Sequence, residues 1–149
     1  MPITRAQTGS LTTGVIIGRF QTPYLHAGHL TLIGTALQEC DDVVILLGSQ
    51  EEKDERNPYS FEERAQMIYK VFRQVQIIIL PDVKEDNEEW SKRVDSKIEF
   101  RENPILYHSR DSFKDCYSGK YPLKEIPELQ GYSATKIRND ANKITEGTN

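Results

Sequence analysis

The fold is decided by residues 14–29, which read GVIIGRFQTPYLHAGH. The first five residues of this stretch form a β-branched run between two glycines, which is typical of a strand buried inside a parallel sheet. After a polar loop, apolar residues recur at the spacing of one helical face as far as Cys40. The region therefore predicts a strand, a loop and a helix, in that order.

The same pattern repeats along the rest of the chain. Further strand-like runs lie at 43–47, 75–80, 104–107 and, more briefly, near 123–126. Helices are expected after the capping box of Ser60 and Glu63, after Asp86 and Asn87, and from residue 132 or 133 to Asn142. Strands that alternate with helices imply right-handed crossovers. The predicted fold class is α/β, a Rossmann-like, doubly wound parallel sheet of about five strands with helices on both faces.

Length and composition indicate one folded unit. The chain has 149 residues, of which 37% are hydrophobic and 28% charged, with a net charge of −4, as expected for a domain with its own core. Residues 1–12 are polar and without periodicity, so we expect a flexible N-terminal arm followed by a single domain at 13–149. Cys40 and Cys116 lack the spacing of a metal or redox pair and are expected to be free thiols.

The composition also excludes several classes of protein. No apolar run approaches the ~20 residues that a membrane-spanning helix needs, and the N-terminus lacks the regions of a secretory signal. A net negative charge differs from the excess of Lys and Arg that gives affinity for nucleic acid. We therefore expect a cytoplasmic protein that binds neither membrane nor nucleic acid, in which any phosphate chemistry is local.

Two histidines stand where the first helix is expected to begin. His26 and His29 are three positions apart with Gly28 between them, so both rings can point at one phosphate while the glycine lets the backbone approach. The N–H groups and partial positive charge of a helix N-terminus favour an anion there. The alternative is structural, with one histidine in a loop and the other half-buried. The pairing favours function, and no third residue with suitable spacing supports a metal site.

A second polar cluster opens the expected last helix. Ser133 and Thr135 offer hydroxyls beside free helix N–H groups. Arg138 lies within about one turn of both, and its guanidinium can bind phosphate oxygens as a fork. An ordinary serine cap followed by a solvated arginine explains this cluster equally well when it is taken alone. Together with the histidine pair, it favours a second anion site.

These motifs carry a family resemblance. G-R-F-Q at 18–21, H-A-G-H at 26–29 and S-A-T-K-I-R at 133–138 resemble the signature motifs of the H-x-G-H nucleotidylyltransferase superfamily. The first and last are similar to its nicotinamide-mononucleotide adenylyltransferase branch, of the archaeal, bacterial and phage type. The resemblance implies that 13–149 form one nucleotidylyltransferase domain, without the Nudix hydrolase domain that bifunctional relatives carry after the last helix.

The resemblance also implies an activity and a set of residues. The 5′-phosphate of nicotinamide mononucleotide would attack the α-phosphate of ATP in line, giving NAD and pyrophosphate, with Mg²⁺ bound through the ATP phosphates and no metal ligands from protein side chains. The catalytic residues would be His26, His29 and Arg138, and the further ATP-binding residues Gly18, Arg19, Phe20, Gly28, Ser133 and Thr135. The partners would be small-molecule substrates, ATP and a mononucleotide, and the resemblance suggests a homo-oligomer.

More residues are implied for the acceptor. N-P-Y-S at 57–60, followed by Glu63 and Arg64, resembles an N-P-F-T and E-R segment of these enzymes, and Trp90 resembles the tryptophan that stacks on the nicotinamide ring. A pyridinium is attracted to an indole face, although Trp90 fits equally well as a core residue of an amphipathic helix. The substrate-binding residues implied in this way are Trp90, Asp82, Asn87, Asn57, Arg64 and Arg110.

The sequence departs from the family pattern in one loop and leaves two other functions open. Thr22 and Leu25 are extra residues between Gln21 and His26, which lengthens the loop. The chain could act on a different phosphate acceptor, such as phosphopantetheine, or it could be a catalytically silent nucleotide-binding module. A dinucleotide oxidoreductase and a P-loop enzyme are poorly supported, because neither of their glycine-rich motifs is present.

Overall fold

The computed structural model of the chain describes residues 11–49, 55, 58–83, 86–109 and 113–127. Along them the elements are β1 (Thr13–Gly18), α1 (Ala27–Glu39), β2 (Asp42–Ser49), α2 (Phe61–Val71), β3 (Gln76–Pro81), α3 (Asn87–Ile98), β4 (Pro104–His108), a single 3₁₀ turn (Phe113–Asp115) and β5 (Leu123–Glu125). The predicted alternation of strands and helices is confirmed over this range. Residues 1–10 of the predicted arm and the whole of the predicted last helix lie outside the described residues.

The five described strands form one parallel sheet in the order β3-β2-β1-β4-β5. From β1 the chain steps outward through β2 to β3, and it then crosses back to place β4 on the other side of β1. The direction of winding reverses between β1 and β4, and sheets of this type bind ligands near such a point, outside the carboxyl ends of their strands. The predicted doubly wound, Rossmann-like fold is confirmed.

Helices cover both faces of the sheet, because the side chains of each strand alternate between the faces. One face packs against α1 and α2 through a core cluster that includes Ile16, Ile45, Ile33 and Ile68. The other face packs against α3 through a cluster that includes Val15, Val44, Val94 and Ile98. The central strands are therefore buried on both sides, which explains their nearly continuous apolar sequence.

The N-termini of α2 and α3 are capped as the sequence predicts. Oγ of Ser60 accepts from the N–H of Glu63 at 3.1 Å, and the Glu63 carboxylate accepts from the N–H of Ser60 at 3.0 Å. This is a complete capping box. The Asp86 carboxylate accepts from the N–H of Glu89 at 2.9 Å. These side chains fix where the two helices begin.

α1 begins at Ala27, beside the histidines as expected, because His26 caps it. One strand boundary differs from the prediction. β3 ends one residue beyond the expected run of 75–80, with Pro81 as its last residue. β3 lies at the edge of the described sheet, where a residue without an N–H is tolerated.

Both cysteines are free thiols, as predicted, with Cys40 half-buried and Cys116 exposed. The Cys40 thiol donates to the Tyr107 hydroxyl at 3.4 Å, so it joins the packing between α1 and β4. Among the described helices, none is both long and apolar enough to cross a membrane.

Candidate active site

Several of the residues singled out by the sequence gather at the carboxyl ends of the central strands. β1 ends at Gly18, β2 at Ser49 and β3 at Pro81. In a parallel sheet these ends share one edge. The loop that leads from β1 to α1 and the residues that follow β3 therefore meet at this edge.

His26 is the N-cap of α1. Its Nδ1 accepts from the backbone N–H of Gly28 at 3.0 Å and from that of His29 at 3.3 Å. In return, the N–H of His26 donates to Nδ1 of His29 at 3.4 Å, so the two residues form a capping box built from imidazoles. The rings stack, with centroids 3.7 Å apart and planes 20° from parallel. The structure thus brings the two predicted histidines together at a helix N-terminus.

The hydrogen bonds fix the tautomer of both rings. A ring nitrogen that accepts an N–H carries no proton itself, so each neutral ring holds its proton on Nε2. Burial, reinforced by the charge that His26 would carry, lowers the pKa of His29 from its ordinary 6.5 to about 3. His29 is therefore neutral at physiological pH and offers an Nε2–H donor.

Gly28 is required by this cap. A Cβ on Gly28 would lie 2.8 Å from Cε1 of His26 and 3.0 Å from its Nδ1. A side chain would therefore push the His26 ring away from the helix N-terminus. The glycine of the H-A-G-H motif thus serves the placement of the first histidine.

Phe20 links the histidines to the end of β1. Its φ of 53° is a left-handed conformation, which is costly for a bulky residue. Its buried ring packs on His29 with centroids 4.7 Å apart, and it covers Gly18, where a Cβ would lie 2.9 Å from the ring. The strained turn therefore holds the histidine pair beside the end of β1.

A cleft of about 230 Å³ opens at the same edge of the sheet. Its lining comes from the ends of three strands, from α3 and from the 3₁₀ turn: Ile17, Gly18, Arg19, Gly48, Leu80, Asp82, Trp90 and Phe113. Gly18 lines the cleft and also contacts Phe20, whose ring packs on His29, so one aromatic ring links the cleft wall to the histidine pair. The cleft is smaller than the ~300 Å³ at which pockets for drug-sized ligands begin, and it suits a single ring-sized group.

Trp90 fits both interpretations that the sequence leaves open. It packs partly buried against the core cluster of α3, and it also lines the cleft. Phe113 and Tyr117 surround it, with ring centroids 6.2 and 6.5 Å away. Phe113 is a lining residue that the sequence did not identify, and its one signal is an aromatic residue within the polar stretch 109–115.

Arg19 and Asp82 form a bidentate ion pair in the cleft wall. Nη1 of Arg19 donates to Oδ1 of Asp82 at 2.6 Å, and Nη2 donates to Oδ2 at 3.0 Å. The Arg19 side chain lies against Gly48, where a Cβ would come within 3.3 Å of Nη1. The structure thus places Arg19 on the Trp90 side of the site, and its contact with ATP stays a prediction.

Arg64 is buried and binds the protein itself. Its Nη1 donates to the carbonyl oxygens of Arg19 and Gly48 at 2.8 and 2.6 Å. Its Nη2 donates to Oγ of Ser49 at 2.9 Å, and its Nε to the carbonyl of Ser60 at 3.1 Å. Within-chain hydrogen bonds thus occupy four of the five guanidinium N–H donors. Arg64 thus holds the ends of β1 and β2 in place, and its contact with substrate stays a prediction.

The longer loop before the histidines is tied down by its own residues. Thr22 and Leu25 are buried, and the Thr22 hydroxyl donates to the carbonyl of Tyr24 at 2.9 Å. Gln21 binds both backbone groups of Tyr59, donating to the carbonyl at 3.1 Å and accepting from the N–H at 2.9 Å. The two extra residues are accommodated without loss of the histidine cap.

The other predicted residues fall into two groups. Asn87 is exposed in the first turn of α3 and is not part of the cleft lining. Asn57, Arg110, Ser133, Thr135 and Arg138 lie outside the described residues, and their roles stay predictions. The convergence of the histidine pair with the C-terminal cluster is likewise a prediction.

Known proteins resemble this chain in sequence. Residues 15–140 match the family described as cytidylyltransferase-like. The nicotinamide-nucleotide adenylyltransferase of Saccharolobus solfataricus is 33% identical over 141 residues, spanning 86% of this chain and 78% of the relative. The nicotinamide/nicotinic acid mononucleotide adenylyltransferase of Acinetobacter baylyi is 37% identical over 123 residues, spanning 76% of this chain and 62% of the relative.

A solved structure has the same fold. It is a bifunctional NMN adenylyltransferase/ADP ribose pyrophosphatase from Francisella tularensis, complexed with AMP and a Mn ion, and it is 28% identical with a TM-score of 0.69. The similarity covers 92% of this chain and 42% of that one, so the chain spans less than half of the bifunctional protein. The chain belongs to the cytidylyltransferase-like family of nucleotidyltransferases, among the nicotinamide-nucleotide adenylyltransferases that its motifs predict.

Proposed function

We propose that the chain is an adenylyltransferase that joins nicotinamide mononucleotide to ATP, giving NAD and pyrophosphate. The observation that carries the proposal is the stacked, capped histidine pair at the N-terminus of α1, beside a cleft lined by Trp90 and Arg19. The names of the relatives support the same substrates. An oxygen of the acceptor 5′-phosphate attacks the α-phosphorus of ATP, the bond from that phosphorus to the β-bridging oxygen breaks, and pyrophosphate leaves.

The histidines would stabilise charge on the transferring phosphate. The cap occupies Nδ1 of each ring and leaves the proton on Nε2, from which each ring can donate to a phosphate oxygen. The rings need not act as a general acid or base, since each would only hold an N–H donor at a fixed position. The N-terminus of α1 adds its partial positive charge.

Mg²⁺ fits this site as a companion of ATP. In the part of the chain that the structure describes, no group of three or more His, Cys, Asp and Glu side chains could hold a metal ion. The histidine pair offers N–H donors, whereas Mg²⁺ takes oxygen ligands and is commonly held through substrate phosphates. We therefore propose that it binds the ATP phosphates, where it would offset the charge of the leaving pyrophosphate.

The rest of the proposal follows the resemblance. Ser133, Thr135 and Arg138 would hold the β- and γ-phosphates, and Trp90 would stack on the nicotinamide ring. We also propose, from the resemblance, that the protein works as a cytoplasmic homo-oligomer. The position of Trp90 in the cleft wall supports the stacking role.

The test is a product assay. Purified protein is mixed with ATP, Mg²⁺ and nicotinamide mononucleotide, and both NAD and pyrophosphate are measured. We expect equal amounts of the two products, and neither when the mononucleotide is omitted. A parallel reaction contains phosphopantetheine as the acceptor. Pyrophosphate release with phosphopantetheine alone, or without NAD, would contradict the proposal.

A further inference from the structure

The charges in the cleft wall bear on which acceptor the site admits. Among the described lining residues, the charged ones are Arg19 and Asp82, and two hydrogen bonds join them to each other. The other lining residues are glycines or carry aliphatic and aromatic side chains. The cleft wall therefore carries a partly exposed ion pair beside mainly apolar lining residues.

Backbone contacts anchor both members of the pair. The carbonyl of Arg19 accepts from the buried Arg64, whose Nη1 also binds the carbonyl of Gly48. The N–H of Asp82 donates to the carbonyl of Ser49 at 3.0 Å. Arg19 and Asp82 are thus attached to the end of β2 from both sides, so the ion pair is a built part of the cleft wall.

The carboxamide of nicotinamide mononucleotide and the carboxylate of nicotinic acid mononucleotide would interact differently with this ion pair. A carboxylate oxygen has two acceptor positions, so the NH₂ of a carboxamide can donate to Asp82 while the ion pair stays intact. A carboxylate ligand has no hydrogen to donate. In the same position it would lie beside the like charge of Asp82, or it would have to replace Asp82 as the partner of Arg19.

We propose that Asp82, held by Arg19, is a specificity-determining residue that selects nicotinamide mononucleotide over nicotinic acid mononucleotide. The inference rests on the proposed function and deepens it. It concerns a property in which the two curated relatives differ by name, since one of them is named for both mononucleotides. Discrimination between ligands of nearly equal shape often depends on such a repulsive element.

The test compares the two mononucleotides in the wild type and in Asp82→Asn, which keeps the side-chain shape and removes its charge. We expect the wild type to have the higher kcat/KM with nicotinamide mononucleotide. In Asp82→Asn the ratio of the two kcat/KM values should shift toward nicotinic acid mononucleotide by about tenfold or more. Asp82→Glu keeps the charge and should retain the wild-type preference.

Glu102→Gln is the matched control, because it removes one negative charge from an exposed residue just before β4, at the opposite edge of the sheet. It should leave the ratio unchanged. Circular dichroism confirms that each variant is folded, and equilibrium binding of each mononucleotide without ATP gives a second readout.

An unchanged ratio in Asp82→Asn, or an equal loss with both mononucleotides, overturns the inference and leaves the proposed function in place. A wild type that is inactive with both mononucleotides overturns the proposed function. In that case the ratio of the two binding constants still decides whether Asp82 discriminates between amide and acid.

Discussion

His26 shows, at the scale of single residues, how one side chain can serve the fold and the site together. It caps α1 through Nδ1 and keeps Nε2–H outside the cap. Serine or aspartate is a more usual N-cap, but neither carries a second ring nitrogen that holds an N–H donor across the ring from the capping atom. An imidazole cap fixes the ring and its tautomer at once. We therefore expect the proposed function to need histidine at this position, with Gly28 beside it.

The protonation state of His29 predicts how the stability of the protein depends on pH. Burial, reinforced by the charge of His26, lowers its pKa to about 3, whereas an unfolded chain would protonate this ring near pH ~6.5. Its contribution to stability is fully present above pH ~6.5 and is lost as the pH falls from there toward 3. We expect the ring ¹⁵N shifts of His29, measured by NMR without ligand, to stay at neutral values from about pH 8 to about pH 5.

His29→Gln supplies the control for this titration. The variant identifies the His29 signals by their loss. Its free energy of unfolding should also fall less steeply than that of the wild type below pH ~6.5, because the titrating ring is gone. A wild-type His29 that titrates near pH ~6.5 in the folded protein would contradict the buried, capped arrangement.

At the scale of elements, α2 holds the loop that leads from β1 to the histidines. Arg64 of α2 binds the carbonyls of Arg19 and Gly48, and Gln21 binds the backbone of Tyr59 just before the helix. These contacts tie the exit of β1 to the end of β2 and to the start of α2. The geometry of the site therefore depends on a helix that contributes no side chain to the cleft lining.

Arg64→Lys tests this dependence. A lysine ammonium cannot reproduce the planar fork, so it would leave some of the four acceptors unpaired. We expect a loss of about 1–3 kcal/mol in the free energy of unfolding, measured by urea denaturation. The KM for the acceptor should also rise, because the carbonyls of Arg19 and Gly48 lose their common donor.

The matched control is Arg93→Lys on α3. Arg93 is exposed and forms a 3.8 Å ion pair with Glu89, so its replacement should change stability by less than about 0.5 kcal/mol. Equal stability of Arg64→Lys and the wild type would show that the hydrogen bonds of Arg64 do not support the fold.

Local patterns predicted the elements, and they could not predict the contacts between the elements. A β-branched run or the Ser60 capping box involves neighbouring residues, so its outcome can be read from the sequence. The bonds of Arg64 reach across as many as 45 positions, and no spacing rule reveals them. Phe113 was missed as a lining residue for the same reason. The capping role of His26 was missed because imidazoles are not among the preferred caps.

At the scale of the whole molecule, the topology explains where the site lies. The strand order reverses beside β1, and the loop that leaves β1 leads to the histidine pair at the start of α1. The cleft opens at the same edge. The proposed function also requires residues from both ends of the chain to bind one ligand, because Arg138 must reach the same triphosphate as His29.

A double-mutant cycle tests that requirement. His29→Ala should lower kcat by ~10² or more, as the removal of a preorganised donor does, and Arg138→Ala should raise the KM for ATP. Because both residues would bind one triphosphate, the loss of kcat/KM in the double variant should be smaller than the product of the single losses. Lys97→Ala, which removes an exposed cation from α3, should combine with His29→Ala without such coupling. If the loss of kcat/KM in the double variant equals the product of the two single losses, His29 and Arg138 do not act on the same triphosphate.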